Sequence, residues 1–558
     1  MSERMADLVC HNVQKMCWRL VFRCLSARKE IRAADPYSSS LRGNFAMRVG
    51  PKMQSFAEYI KKFRSIWLFL LVCNVILHGK MLLSMGIGVD TELLIGMEDG
   101  FYTASMNTGR QWYGYLAKLL NEGQYNPYFN GVLSLMLFVL AVILWTYLFY
   151  IITEKENVSG ILGFGLMFSG AAIMTEQCYF RMQIAEELIG FCVLGLSLCF
   201  TFRWLAERSF IYLPAAVLSA VFCFGIYQAF VPLYILGAVI VVFLMIFFSD
   251  HLEKYQKPGL SAWILILKCI LIFLLSYAVN QIITRVFFNQ LGGYLTSQIC
   301  WSRSSWKTCA RAILTHMERV FKGSVTYYPK WLWVFVIYVT AASLVRIMRK
   351  KKALAAGIIA TGMLLLSPFY LTILMGTSPV ARAQYNLVIA AGFFIYVSFL
   401  LVSSSKKVGM YPILVLAAVL CCGTQIKNTS VLNYTDEIRS EQDITTGEQL
   451  IAQIDMLQDE DHSVPVYFVG SHSSKLNSSC RRGEVIGYSI FEWDAGGEPY
   501  CYNSTRRAIN FLKTLGTVYK QAKSADALAV LEKHEDLSDW PEEGSIIKED
   551  GIILVHFS

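Results

Sequence analysis

Charged residues make up only 16% of this 558-residue chain, against 55% hydrophobic. That scarcity excludes an ordinary soluble domain with a solvated surface. No P-loop and no dinucleotide-type glycine pattern appears where a strand meets a helix, so nothing is built to cradle a nucleotide. No cysteine pair has zinc-site spacing with histidine nearby. The net charge of +9 is not gathered into one basic stripe interleaved with stacking aromatics, which argues against nucleic acid as a partner. Residues 1–64 lack the apolar core of a signal peptide and read as a basic cytoplasmic extension carrying Cys10, Cys17 and Cys24. A start at Met47 or Met53 fits the rest equally well.

What the chain has in quantity is long apolar runs. About eleven are long enough to be read as membrane spans, near 65–87, 129–153, 160–176, 186–204, 210–228, 231–248, 262–286, 331–348, 353–375, 386–404 and 408–425. Short basic clusters orient them: Lys61, Lys62 and Arg64; Arg203 and Arg208; Lys254 and Lys257; Arg346 to Lys352; Lys406 and Lys407. With the amino end inside and an odd number of spans, all these clusters fall on the cytoplasmic side. The predicted fold is an all-α polytopic membrane bundle over 65–425, with its carboxyl end outside.

From 426 to 558 the composition turns polar and acidic. A helix-like "DEIRSEQDITTGEQLIAQIDML", a buried-strand signal in "VPVYFVG" and a hairpin signal at Asp550-Gly551 predict a small extracytoplasmic α/β domain. On that side Cys480 with Cys501, and Cys300 with Cys309, are either disulfide partners or free thiols. The cysteines inside the spans read as packing residues.

The unusual polar residues gather in the predicted outer loops. The first, 88–128, holds Asp90, Glu92, Glu98, Asp99 and Arg110. The second reads "TEQCYFRMQ", with Glu176 and Arg181; the turn between spans five and six reads "GIYQAFVPLY"; the loop before span ten holds Arg382 as its one charge. The long outer segment 287–330 adds Arg303, Lys307, Arg311 and Arg319. A polyprenyl-phosphate substrate keeps its tail in the bilayer and its phosphate at headgroup level, so a site acting on it needs cations and a carboxylate at the end of a span. Asp90 and Glu92 are at that depth. A carboxylate there can take the proton of an acceptor hydroxyl while arginines hold the phosphate leaving group.

The run "VDTE", the "GRQW" at Gly109 to Trp112, the "IYQAF" at Ile226 to Phe230 and the tail opening "YTDEIRSEQD" resemble the GtrII-type glucosyltransferases, from about residue 60 onward. That resemblance implies a multispanning C-class glycosyltransferase that uses a polyprenyl-phosphate sugar, glucose, to modify a bacterial surface polysaccharide such as O-antigen. It also implies an essential acid in the first outer loop, a role that falls on Asp90 and Glu92. Arg110 matches the arginine of the family's "GRW", with Gln111 standing between it and Trp112.

Blander readings accompany each residue. Glu98 and Asp99 read as solvated helix-start residues. Arg110 and Trp112 either bind substrate or rest in the interface on a helix, with Leu116, Leu119 and Leu120 on the same side as Trp112. Tyr227 and Gln228 either bind substrate or mark an interfacial turn. Arg382, against the positive-inside trend, points to phosphate binding. Arg181 binds substrate or pairs with Glu176, and Lys80 snorkels to the headgroups. The predicted activity is inverting hexosyl transfer on the outer face of a bacterial cytoplasmic membrane, among membrane lipids, from the lipid donor to a polysaccharide acceptor. No cofactor is required, although two close carboxylates are also able to bind Mg or Mn. An O-antigen polymerase or ligase is the nearest alternative. A transporter or flippase ranks lower, because few charges lie mid-span and no internal repeat is visible.

Overall fold

The structure is a computed structural model that describes residues 55–558, apart from 85, 122–123, 208, 250–257, 289–296, 350–353, 406–408, 497–499, 535 and 558. Cys10, Cys17, Cys24, Met47, Met53, Arg208, Lys254, Lys257, Lys350, Lys351, Lys352, Lys406 and Lys407 lie outside the described residues.

All eleven apolar runs are helical. Among the described residues, eight single helices are long and apolar enough to cross a membrane: Arg64–Leu83, Pro127–Thr153, Arg181–Glu207, Phe230–Phe248, Ala262–Phe287, Leu354–Met375, Tyr385–Ser403 and Met410–Asp455. Val158–Gly170 and Ala172–Tyr179 make a ninth if taken together, bent by 43°. Tyr212–Phe224 and Leu332–Met348 are apolar but shorter. The 13 residues of Tyr212–Phe224 rise about 20 Å, less than the roughly 30 Å of a bilayer's hydrocarbon core. Hydropathy alone sees the run and not its breaks, so eight or nine spans replace the expected eleven as the supported count.

Burial sorts these helices into layers. Pro127–Thr153 and Tyr385–Ser403 are 89% and 94% buried in their most apolar windows and form the centre, whereas Ala262–Phe287 is 28% buried and forms an edge. Local chemistry sets the boundaries. The Asn126 side chain accepts from the backbone N–H of Phe129 at 2.9 Å with Pro127 at the first helical position, and Glu154 closes the helix in a left-handed conformation. Asn157 caps the next helix through Gly160 and also donates to the carbonyl of Tyr396 at 2.8 Å. An extended Ala171 breaks the bent pair. "TEQCYFRMQ", expected as a short loop, is therefore mostly helical and buried.

The last span does not stop near 425. Met410–Asp455 is one helix of 46 residues, about 69 Å long, and carries the chain from the apolar bundle into the polar carboxyl-terminal part. There a three-stranded sheet forms with strand order β1-β3-β2: β1 Val466–Val469, β2 Ile546–Glu549 and β3 Ile552–His556. β1 is wholly buried and parallel to β3, whereas β2 and β3 are antiparallel. The turn between them is Asp550-Gly551, both at positive φ, as a two-residue hairpin demands. Two readings of the sequence are narrowed here. Cys300, Cys309, Cys480 and Cys501 are all free thiols, with Cys501 donating to the carbonyl of Ala495 at 3.1 Å and Cys480 turned to Asn477 at 3.5 Å. Lys80, with its side chain exposed, pairs with Glu437 of the long helix at 2.6 Å.

Candidate functional site

The first-span helix ends at Leu83, and residues 86–88, which have no regular secondary structure, lead into an acid-bearing turn at 89–90. Three neighbours fix that turn. Arg439, fully buried on the long helix, donates to the carbonyl of Ile87 at 2.8 Å while holding Asp436 at 2.5 Å and Asp443 at 3.0 Å. The hydroxyl of Tyr179 accepts from the N–H of Val89 at 3.2 Å, and its ring lies so close to Gly88 that a Cβ there would meet it at 2.8 Å. Asp90 then takes up a left-handed conformation, φ 71°, and the helix Thr91–Gly96 begins with Glu92 in its first turn. Asp is among the few residues that tolerate this backbone region.

The third neighbour is Arg507, from the helix Tyr502–Thr514. Its Nη2 reaches Asp90 at 3.0 Å, its Nη1 reaches Glu92 at 2.6 Å, and its Nε reaches Asp494 at 2.6 Å. The two acids differ in access: the Asp90 side chain is 36% exposed and that of Glu92 is 0% exposed. Glu92 Oε2 is buried with no partner among the described residues. Burial raises the Glu92 carboxyl to about 7, with Arg507 opposing that rise. Burial also works against the Arg507 charge, but Glu92 and Asp90 more than compensate and keep its guanidinium protonated.

The "GRQW" and "IYQAF" stretches, far apart in sequence, meet each other. Gly109, at φ 83°, lets the chain reverse into the helix Gln111–Asn121. Arg110 lies over the ring of Tyr227 at 4.7 Å and reaches Gln183 at 3.4 Å, so it faces protein instead of a headgroup. The N–H of Trp112 donates to the carbonyl of Gly225 at 2.9 Å, and Gln228 donates to the carbonyl of Thr108 at 2.9 Å. Tyr227 packs on Tyr385 with centroids 5.9 Å apart, and Tyr385 in turn donates to Glu187.

Arg181 and Arg382 stand nearby with other partners. Arg181 does not pair with Glu176: it donates to the carbonyl and hydroxyl of Ser84 at 2.7 and 2.8 Å, at the entrance to the acid turn. Glu176 instead accepts from Tyr327 at 2.5 Å and from the backbone N–H groups of Glu484 and Val485. Arg382 lies over Phe180 at 4.8 Å and 3.8 Å from Glu484, so it is not the isolated cation its loop suggests. Of the expected solvated acids, Asp99 is exposed and pairs with Lys118 at 3.1 Å.

The start of the helix Arg181–Glu207 organises these groups. Met182 touches Thr91 and Tyr113, Gln183 touches Arg110, and Glu187 touches Tyr385. Sequence reasoning missed Glu186 and Glu187 as site residues, although two adjacent acids leading an apolar run are a readable signal. It also missed Arg507, which lies 415 residues from Glu92 and has no local mark. Among the described residues no group of three or more His, Cys, Asp or Glu is arranged to hold a metal ion. A cavity of about 540 Å³ lined by Lys330, Lys427, Arg481 and Thr326, among others, contains none of the expected site residues.

A sequence profile of the family described as glucosyl transferase GtrII matches residues 79–403. The match covers more than half the chain, and the protein belongs to that family. No curated protein and no solved structure matches it. Asp90, Glu92, Arg110, Trp112, Arg181, Tyr227, Gln228 and Arg382 all fall inside the matched range, whereas Asp494 and Arg507 fall outside it.

Proposed function

From its membership of the GtrII family, we propose that this chain transfers glucose from a polyprenyl-phosphate donor to a surface polysaccharide such as O-antigen, on the outer face of a bacterial cytoplasmic membrane. The observation that carries the reading is the pair of carboxylates at the end of the first span, one open and one buried, linked through Met182 and Gln183 to an arginine laid on a tyrosine face. Asp90 is the accessible acid and suits the role of general base. It takes the proton of the acceptor hydroxyl as that oxygen bonds to C1 of the sugar. The C1–O bond to phosphate breaks, its electron pair leaves with the polyprenyl phosphate, and a single displacement inverts the anomeric centre. Glu92, wholly buried, orients the guanidinium beside Asp90.

Arg110, Arg181 and Arg382 are the cations proposed to meet the phosphate, with Trp112, Tyr227 and Gln228 shaping the wall against which the donor lies. Arginine suits this task because its planar fork matches phosphate oxygens bidentately. The test is incubation of the purified protein with radiolabelled polyprenyl-phosphate glucose and acceptor membranes, with and without chelator. Label passing into polysaccharide is the expected result, and an inert donor with intact protein would contradict the reading.

A further inference from the structure

We propose that Arg507 is a positioning residue for the acid pair, so that the site at the end of the first span is complete only when the carboxyl-terminal segment is docked on it. This deepens the glycosyltransfer reading and rests on it. Three observations lead here. First, the three N–H-bearing nitrogens of the guanidinium are each given to a different carboxylate: Asp90 and Glu92 from the first loop, and Asp494 from its own segment. Second, Asp90 and Asp494 are both in the left-handed backbone region, φ 71° and 62°, so two turns are shaped to face one cation. Third, Glu92 gives one oxygen to Arg507 and leaves the other buried without a partner among the described residues. A carboxylate buried in this way is costly unless a cation stays beside it.

The contact between the two segments extends beyond the arginine. Asn510 packs against Gly96, where a Cβ would collide with its side chain, and Lys513 reaches the carbonyl of Gly96 at 3.4 Å. The helix Tyr502–Thr514 therefore lies along the whole acid helix Thr91–Gly96. The charged groups that face Glu92 are Arg507 and Asp90, with Asp494 beyond the guanidinium. Lys513 is at the far end of the acid helix, and Arg181, on the helix that packs against its side, is turned to Ser84. Removing Arg507 takes away the one cation that, among the described residues, offsets the burial of Glu92 and also frees Asp90 to rotate. Arg507 lies beyond residue 403, where the family match ends.

The test compares Arg507→Met and Arg507→Lys with the parent, in the full-length detergent-purified protein. Two readouts are taken: the pH dependence of transfer from polyprenyl-phosphate glucose, and the pH dependence of thermal unfolding without any donor. Arg507→Met is expected to lower kcat at least roughly tenfold with little change in KM for the donor. It should also move the Glu92 titration seen in both pH profiles upward by about one unit or more, the usual effect of removing a neighbouring opposite charge. Arg507→Lys should return the titration close to the parent position, with kcat still reduced because one ammonium cannot hold both acids in the planar fork. Parent-like pH profiles in Arg507→Met, together with parent-like turnover per folded molecule, would make Arg507 a structural contact only and overturn the proposal. If Arg507→Met does not fold, Arg507→Lys decides: a reduced kcat supports the proposal and a parent-like kcat overturns it. A parent protein inert towards the donor would defeat the glycosyltransfer reading alone, since the donor-free titration still reports whether Arg507 governs the acid pair, and an unmoved titration there overturns this inference.

Discussion

Glu92 is the residue whose titration reports on the site most directly. Its carboxyl is raised by burial from about 4.5 to about 7, so the folded chain binds its proton more tightly than the unfolded chain does. Its contribution to stability is therefore complete below about 4.5 and is lost as the pH rises through about 7. Glu92→Gln should lessen that slope in the pH dependence of the melting temperature in detergent by the share of one group; an unchanged slope would mean that Glu92 does not titrate there. Arg382 makes a different prediction. Stacked on Phe180 and only 3.8 Å from Glu484, it keeps a free edge if it serves the donor phosphate. Arg382→Ala should raise KM for the lipid donor about tenfold or more, and Arg382→Lys should restore only part of the loss. Parent-like KM in both variants would make it a packing residue. Asp90, Glu92 and Arg110 stood out in the sequence as candidates because an acid or arginine at a span end is conspicuous. Arg507 was not, because its partners lie across a fold that no local pattern encodes.

At the level of elements, the long helix Met410–Asp455 ties the apolar bundle to the acid turn. Arg439 is its fastening point, with Asp436, Asp443 and the carbonyl of Ile87 all on one guanidinium. Arg439→Leu would leave two buried carboxylates without their cation, a loss of about 3–5 kcal/mol. It should lower the melting temperature and, in the molecules that remain folded, reduce turnover because the turn carrying Asp90 loosens. A parent-like melting temperature would contradict the fastening role. The sequence located the apolar runs, β1 and the Asp550-Gly551 hairpin, since each has a short-range signal. It did not show that the last span continues unbroken into the carboxyl-terminal part, because the helix passes from apolar to polar residues without a stop signal. Nor did it show the bend at Ala171, since an extended alanine leaves no trace in hydropathy.

For the whole molecule, the acid turn and the carboxyl-terminal part must share one side of the membrane. Arg507, Asp90 and Glu92 are in contact, so whichever side holds one holds the others. The proposed orientation puts them outside: single cysteines introduced near 99–105 and 540–549 should react with an impermeant reagent in intact cells, and cysteines at 349–352 should not. Reaction at 349–352 would reverse the orientation. The most direct test of the central claim is the rate of sugar transfer by Asp90→Asn beside the parent, in purified protein of matched folding and donor binding. The account predicts a loss of roughly two to four orders of magnitude in turnover, the range for removal of a general base, with donor affinity kept. Parent-like turnover in Asp90→Asn, and again in the double variant with Glu92→Gln, would contradict it.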